Sequence, residues 1–153
     1  METQEIIDLL NKMGALGAEE DAPRIASRAL MQDPIVTNRL AVELLQKLDR
    51  DLKPEAVLAP AGEASYFGYS VALAAWMRFL YATADEGGFT LPEGTNLNKK
   101  ERVLIVLDGY DEDVAAGLVA AVRDAGAKPL AVLSLSAPTA ETAHGCPTLS
   151  LID

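Results

Sequence analysis

The N-terminal third of the chain carries apolar residues at helical spacing in three successive segments. Residues 5–13 place four apolar side chains on one helical face, and Gly14 follows as a stop signal. A weaker pattern over residues 22–31 predicts a second helix, with Pro23 in its first turn. A third helix is predicted to begin at Pro34 and to end in the charged residues 49–53. The apolar stripes of the first and third helices are Ile6, Leu9, Leu10 and Met13, and Leu40, Leu44, Leu45 and Leu48.

The pattern then changes to short apolar runs that alternate with helical segments. Residues 56–59 are continuously apolar and predict a buried strand. A tight loop follows, and Ser65 is positioned to cap a long apolar helix that reaches Trp76 and Met77. Residues 79–83 predict a second strand, so the segment indicates a βαβ unit. The loop after the first strand consists of Pro60, Ala61, Gly62 and Glu63.

The strongest strand signal lies at residues 103–107, which are apolar and largely β-branched. We expect this strand at the centre of the sheet. Before it, the Gly-rich and Pro-containing residues 85–98 predict an exposed flap with a brief hairpin around residues 89–91. After it, the sequence predicts a helix over residues 111–125 that Gly126 closes, a strand over 129–135 and an edge strand over 149–152.

Composition and length favour one α/β domain. A chain of 153 residues is of single-domain size, and half of its residues are apolar with few aromatics. Small aliphatic side chains suit helices that pack closely on a sheet. We therefore predict a single α/β domain over residues 1–153, with an N-terminal helical part at 1–53 and an α/β core at 54–153. The expected architecture is three-layered and Rossmann-like, with a mainly parallel sheet.

The charge and the termini restrict the classes of partner. The formal net charge of −10 repels phosphate backbones, so we expect no nucleic-acid partner. The N-terminus lacks a basic region and a cleavage site, and the apolar run at 66–81 is too short and interrupted to span a bilayer. Cys146 is the only cysteine and suits a reducing compartment. These features predict a cytoplasmic protein without a membrane partner.

The order of these segments resembles the type I phosphoribosyltransferases, and the orotate phosphoribosyltransferases in particular. The likeness is best over RVLIVLDGYDEDVAAGLVAAVRDAGAKPLAVLSL, at residues 102–135. There the family has an apolar strand, two adjacent acids, two further residues, a Thr-Thr-Gly-like run and a helix that ends in Ala-Gly-Ala. The resemblance implies a loop that binds 5-phosphoribosyl pyrophosphate (PRPP) at Asp108, Gly109, Tyr110, Asp111, Glu112 and Asp113. It implies a pyrophosphate turn at Pro60, Ala61, Gly62 and Glu63, and a homodimer.

Three departures from the family pattern suggest a degenerate site. Of the family's two adjacent acids, only one has a match here, Asp108, because Leu107 stands in the other position. Acids also stand at 111–113, where the family has small residues. The stretch that matches the family's strand and flap, residues 81–98, contains no lysine or arginine, and Glu63 stands in the pyrophosphate turn. Residues 14–33 are too short for the strands that help to cover the base in the family. We therefore expect no basic group from this chain at the site.

Electrostatics favours an inactive loop. Two unit charges about 4 Å apart interact by roughly 1 kcal/mol in water and about 4 kcal/mol at an effective dielectric near 20. The helix dipole contributes only about 0.3–1 kcal/mol in the opposite sense. Carboxylates at residues 111–113 should therefore repel the 5-phosphate. The same side chains would cap the helix by themselves.

Other interpretations of these residues remain open. The acids at 108–113 either cap a solvated turn, retain a ribose site or bind Mg²⁺ through oxygen ligands. The turn at 60–63 either binds a small ligand or only connects two elements. His144 and Cys146 lack an orienting third residue, which argues against a catalytic pair. The aromatic group of the apolar helix is better interpreted as a core or dimer contact than as a stacking platform; it consists of Tyr66, Phe67, Tyr69 and Trp76.

Two functions follow from the resemblance. The first is a non-catalytic or repurposed protein that binds another small ligand or a protein partner and needs no cofactor. The second is a working phosphoribosyltransferase that transfers phosphoribose from PRPP to a nucleobase, in which Asp108 holds the ribose and residues 111–113 bind the phosphate with help from Mg²⁺ or from a basic residue of a partner subunit. The sequence assigns no catalytic residue and no metal ligand, and it favours the first function.

Overall fold

The computed structural model describes residues 1–16, 25–137 and 142–152. The helices are α1 (Thr3–Met13), α2 (Ser27–Gln32), α3 (Pro34–Leu45), α4 (Ser65–Ala75) and α5 (Glu112–Asp124), with a 3₁₀ turn at Arg50–Leu52. The strands are β1 (Ala56–Pro60), β2 (Arg78–Asp85), β3 (Gly88–Thr90), β4 (Arg102–Val106), β5 (Lys128–Ser136), β6 (Thr142–Ala143) and β7 (Cys146–Ile152).

The described strands form a seven-stranded sheet in the order β3-β2-β1-β4-β5-β7-β6. The inner pairs β2–β1, β1–β4, β4–β5 and β5–β7 are parallel, whereas β3 and β6 pair antiparallel at the two edges. The predicted central position of β4 is confirmed, because β1 and β5 flank it. The sheet is mainly parallel, as predicted.

Helices cover both faces of the sheet, which confirms the three-layer α/β/α prediction. Alternate strand residues point to opposite faces, so Leu104 and Ile105 of β4 belong to different hydrophobic clusters. On one face, Leu104 joins buried residues of α1, α3 and α4. On the other face, Ile105 joins the buried side of α5, including Leu118. The N-terminal helices thus pack on the same sheet as the rest of the chain.

The N-terminal helices differ from the prediction mainly at α2. Helix α1 ends as predicted at Gly14, whose φ of 76° allows its N–H to donate to the carbonyls of Asn11 and Leu10. Helix α2 begins only at Ser27, and Pro23 lies outside the described residues. Leu16 and Ile25 form an isolated antiparallel bridge between α1 and α2. Residues 17–24 lie outside the described residues, and the predicted lack of room for strands in this region stays a prediction.

Two further predictions were wrong in detail. Ser65 is the first residue of α4 and not its cap, because its Oγ donates to the carbonyl of Gly62 at 2.7 Å. The last strand, β7, begins earlier than predicted, at Cys146, and the short strand β6 pairs on the outside with Cys146 and Pro147, whereas residues 149–152 pair with β5. The local pattern could not reveal β6, whose two residues are too few for a strand signal.

The predicted flap forms a hairpin that packs against α5. Strand β3 pairs with β2 through Thr83 and Thr90, Ala84 and Phe89, and Asp85 and Gly88. The ring of Phe89 lies over Gly117 of α5, where a Cβ would be 2.6 Å from the ring carbons. The glycine therefore allows the hairpin to approach the helix closely.

Candidate functional site

The two predicted loops lie side by side at one edge of the sheet. Strands β1 and β4 are parallel neighbours, with Leu58 level with Ile105, so their carboxyl ends meet. The turn at residues 60–63 follows β1, and the loop at residues 107–111 follows β4. In open α/β sheets, ligands bind outside the carboxyl ends of such strands. We name this region the cleft edge, and it brings the two predicted site segments together.

Asp108 holds the cleft edge together through both of its carboxylate oxygens. Its Oδ1 accepts a hydrogen bond from the N–H of Gly109 at 2.6 Å. Its Oδ2 accepts one from the hydroxyl of Ser27, at the start of α2. Ser27 is only 6% exposed, so this contact is largely shielded from water. The acid that resembles a ribose ligand is therefore bonded to the chain's own serine.

Tyr110 is held by Ser136 and Glu112. Its backbone N–H donates to Oγ of Ser136 at 2.9 Å, and its hydroxyl donates to Oε2 of Glu112 at 2.9 Å. Burial, and then the hydrogen bond to Glu112, raise the pKa of the Tyr110 phenol to about 12. The phenol is therefore a stable neutral donor at physiological pH.

Helix α5 is capped by its own acid. The Oδ1 of Asp111 accepts from the N–H of Val114 at 3.1 Å, and Asp111 has the extended backbone of an N-cap residue. Glu112 and Asp113 occupy the first turn, where carboxylates complement the helix dipole. The arrangement agrees with the helix-cap interpretation of these residues.

The turn after β1 is closed by backbone bonds and an ion pair. The N–H of Ala61 donates to the carbonyl of Ala82 at 2.8 Å, and Gly62 takes a φ of 89° that favours glycine. The carboxylate of Glu63 accepts from Nε of Arg28 at 2.7 Å. The side chains of Arg28 and Glu63 are 81% and 53% exposed, so the pair lies at the surface of the turn.

The expectation that this chain supplies no basic group at the site was wrong. Arg28 of α2 lies beside Glu63, and the hydrogen bond and charge of that carboxylate raise the pKa of its guanidinium. The two residues are 35 positions apart, and the pattern that predicted α2 gave it no position relative to the turn. Sequence reasoning therefore missed both Arg28 and its neighbour Ser27.

Arg78, the one basic residue between positions 53 and 99, lies away from the cleft edge. It begins β2, so it is at the amino end of the parallel strands. There its guanidinium binds Glu101 and the carbonyl of Asn96. Arg78 therefore serves a structural ion pair and not the site.

The backbone of His144 and the side chain of Cys146 lie near α5, where Cys146 shares a hydrophobic cluster with Tyr110. Cys146 begins β7, toward the amino end of the sheet, and is 1% exposed. Burial raises the pKa of its thiol to about 11, so the thiol stays protonated. The backbone carbonyl of His144 accepts a bond from Arg123. A buried and protonated thiol is a poor nucleophile, which disfavours a catalytic role for Cys146.

The four aromatic residues of the α4 segment have different environments. Phe67 is fully buried, and Tyr69 meets Phe79 edge to face with ring centroids 5.5 Å apart. Tyr66 is partly buried against the core. Trp76, by contrast, is 97% exposed. Only Phe67 is fully a core residue, whereas Trp76 faces solvent.

Neither a metal cluster nor a membrane span is found in the part of the chain that the structure describes. No three His, Cys, Asp or Glu side chains converge there as a metal ion would require. The acids at the cleft edge are instead bonded to Ser27, to Tyr110 and to backbone N–H groups. Over residues 1–16, 25–137 and 142–152, no helix is long and apolar enough to cross a membrane.

Comparison with known sequences identifies relatives of one kind. No protein-family model matches the chain. Over 85 residues, it is 29% identical to the orotate phosphoribosyltransferase of Helicobacter pylori strain G27, and equally to that of strain HPAG1. The match covers 55% of this chain and 42% of each relative. The matched part thus spans less than half the length of these curated relatives.

Comparison with solved structures identifies the same fold. The orotate phosphoribosyltransferase of Aeropyrum pernix is 20% identical, with a TM-score of 0.71 over 96% of this chain and 92% of that one. An adenine phosphoribosyltransferase is 16% identical, with a TM-score of 0.73 over 97% and 98%. The Leishmania donovani UMP synthase gives 0.75 at 14% identity, over 99% of this chain and 36% of that one. The predicted fold is therefore confirmed.

Proposed function

We propose that this chain, which has the fold of the type I phosphoribosyltransferases and is similar in sequence to orotate phosphoribosyltransferases, does not transfer phosphoribose. In this proposal it is a repurposed protein that binds another small ligand or a protein partner at the cleft edge. It needs no cofactor and no metal.

The observation that carries the proposal is the state of the loop after β4. Two of its backbone N–H groups and one of the first turn of α5 donate to side-chain oxygens of the same chain: Gly109 to Asp108, Tyr110 to Ser136, and Val114 to Asp111. A 5-phosphate binds such a loop through its backbone N–H groups. A phosphate that used these three N–H groups would have to displace the side-chain oxygens they bond to.

Charge supports the same conclusion. A phosphate at this loop would meet the carboxylates of Asp111, Glu112 and Asp113, which follow one another at the start of α5. At an effective dielectric near 20, each unit charge about 4 Å away opposes a negative ligand by about 4 kcal/mol, compared with at most about 1 kcal/mol from the exposed helix dipole. The site therefore favours neutral or cationic ligands over PRPP.

One observation favours the alternative of a working phosphoribosyltransferase. Arg28 lies at the turn after β1, where the resemblance implies pyrophosphate, and supplies the basic group that the sequence pattern did not. In this alternative Arg28 leaves Glu63 for the pyrophosphate, Asp108 leaves Ser27 for the ribose, and Mg²⁺ offsets the acids. Each of these steps breaks an existing contact, which is why we prefer the first function.

Calorimetric titration with PRPP and Mg²⁺ tests the proposal. We expect no binding heat from the wild-type chain. The matched variant Asp111→Thr, Glu112→Thr, Asp113→Gly restores the small residues of the family loop, and we expect PRPP affinity to rise in it. Micromolar binding of PRPP by the wild-type chain, or phosphoribosyl transfer to orotate, would contradict the proposal.

Two expectations from the sequence belong to the proposal. We place the protein in the cytoplasm, and we propose a homodimer that pairs through α4. The supporting observation is a stripe of exposed apolar side chains along α4 and its C-cap: Tyr69 and Leu73, one turn apart, are 55% and 66% exposed, and the C-cap residue Trp76 is 97% exposed. A stripe of this kind is unusual on a helix that faces only water.

A further inference from the structure

We propose that the first turn of α2 is a latch that closes the cleft edge, so that a ligand must displace it to reach Asp108. We define the latch as residues 25–28, all of which the structure describes. The inference rests on the proposed function only in locating the ligand site at the cleft edge. It adds a conformational control to that site.

The latch contacts both site loops at once. Ile25 lies against Gly109, where a Cβ would be 3.5 Å from Cγ1 of Ile25. Ser27 donates its hydroxyl to Asp108, and Arg28 donates to Glu63. One short segment therefore bonds to the acid that follows β4 and to the acid that follows β1. These two acids are the groups at the cleft edge that a hydroxylated or cationic ligand would use.

The Ser27–Asp108 contact provides most of the closure. The hydroxyl of the nearly buried Ser27 donates to the carboxylate of Asp108. Charge-assisted hydrogen bonds of this kind are about twice as strong as neutral ones. The Arg28–Glu63 pair is exposed on both sides, so solvent screening leaves it little net contribution. The hydroxyl of Ser27 therefore contributes most of the free energy that keeps the latch closed, and the guanidinium of Arg28 mainly orients it.

The two ends of α2 are held very differently. At its C-terminal end, Leu30 is fully buried and its carbonyl accepts from Oγ1 of Thr37 at 2.7 Å and from the N–H of Asp33 at 3.2 Å. At its start, Ala26 provides no side-chain cap, its N–H donates to the carbonyl of Ala15 at 2.7 Å, and Ile25 is 8% exposed. A helix of six residues is too short to be stable without such contacts. In the latch proposal, the first turn opens by losing the Ser27–Asp108 and Ala26–Ala15 bonds and part of the Ile25 packing, while Leu30 stays in the core.

The latch has a direct consequence for binding. A ligand that requires Asp108 binds only the fraction of molecules in which Ser27 has released it, so its apparent affinity is lowered by that fraction. Removing the hydroxyl shifts the closed-to-open ratio by roughly tenfold, as expected for one hydrogen bond to a charged group. The closed-to-open ratio of the latch thus sets the apparent affinity of the site for such a ligand.

Hydrogen–deuterium exchange of the full chain tests the latch. In Ser27→Ala we expect amides at residues 26–29 and 109–110 to exchange about tenfold faster than in the wild type, because local opening becomes more frequent. Arg28→Gln should show a smaller increase. Ser27→Thr and Arg28→Lys keep the hydroxyl and the charge and should exchange like the wild type. Amides of β4 provide the internal reference, since a local opening leaves them unchanged.

Two results would overturn the latch. One is unchanged exchange at both segments in Ser27→Ala, and the other is an equal increase at the latch and in β4, which indicates global unfolding. Asp108→Asn tests the same contact from its other side and should give an intermediate increase, because the amide still accepts a weaker bond. The outcome is independent of the PRPP titration: PRPP binding by the wild type contradicts the proposed function, whereas these exchange rates decide the latch.

Discussion

Arg78 and Glu101 form a two-point ion pair that joins the start of β2 to the residue before β4. Nε of Arg78 donates to Oε2 at 2.8 Å and Nη2 donates to Oε1 at 2.7 Å, while Oε1 also accepts from the N–H of Asn98 at 2.9 Å. Glu101 is 6% exposed, so its charge depends on these partners. The ion pair with Arg78 explains why the buried acid Glu101 is tolerated at the amino end of the parallel strands.

The pair makes stability depend on pH. The hydrogen bond from Arg78 lowers the pKa of Glu101 below its ordinary value of 4.5. Because the folded-state pKa is the lower one, the pair stabilises the fold above 4.5 and this stability is lost as pH falls through the folded-state pKa. We expect Arg78→Met to cost about 2 kcal/mol near neutral pH, measured by urea unfolding. An unchanged acid limb of the stability curve in Glu101→Gln would contradict this assignment.

Gly68 allows α4 to lie close to the sheet. A Cβ at this position would be 2.7 Å from Cβ of Ala59 and 3.2 Å from Cε1 of Phe79. Ala59 is fixed to the backbone of β1 and cannot move aside. We expect Gly68→Ala to destabilise the fold by about 1–2 kcal/mol in urea unfolding, although alanine favours a helix.

Gly117→Ala is the matched control for Gly68→Ala. Its new Cβ would meet only the ring of Phe89, a side chain on the β2–β3 hairpin. The ring can rotate or the hairpin can shift, so we expect a smaller loss of stability than for Gly68→Ala. Equal losses in the two variants would show that the rigidity of Ala59 is not the cause.

Asp111 should contribute to stability as a helix cap. Asp111→Ala removes the oxygen that accepts from the N–H of Val114, and we expect a loss of about 1 kcal/mol in thermal or urea unfolding. Asp111→Asn keeps an accepting oxygen and should retain most of that stability. If the two variants unfold alike, the carboxylate charge and not the cap is responsible.

Cys146 should react slowly with thiol reagents. With a pKa raised to about 11, its thiolate fraction near neutral pH is very small, and the side chain is 1% exposed. We expect labelling of the native chain to be much slower than labelling of the urea-unfolded chain. Rapid labelling of the native chain would indicate that the amino end of β7 opens readily.

The proposed homodimer predicts a specific dissociating variant. Leu73 is 66% exposed in the single chain, so Leu73→Glu should leave the fold intact while it prevents pairing through α4. In sedimentation velocity the wild type should have twice the 16.3 kDa mass of one chain, and Leu73→Glu should have the mass of one chain. Ile35→Glu is the control, because Ile35 is 77% exposed on α3 and lies outside the stripe. Dissociation in both variants would argue against α4 as the interface.

Local sequence signals predicted the elements whose characteristic pattern lies within the element itself. The strand β4 was placed at the sheet centre from its continuous apolar run, and helix α5 was predicted with its acidic start and its glycine end. Helix α2 was the least accurate element, because its six residues carry less than two turns of periodic pattern. Ser65 was assigned as a cap, since residue type alone cannot distinguish the first helical position from the one before it.

The chain by itself determined the α/β fold, the central strand β4 and the acidic start of α5, because periodicity, propensity and charge act over a few residues. Only the tertiary structure decided that Ser27 meets Asp108, 81 positions away, and that Arg28 meets Glu63. It also decided that Arg78 pairs with Glu101 and lies away from the cleft edge. Contacts of this kind depend on how whole elements pack, and no short stretch of sequence encodes the packing of two distant elements.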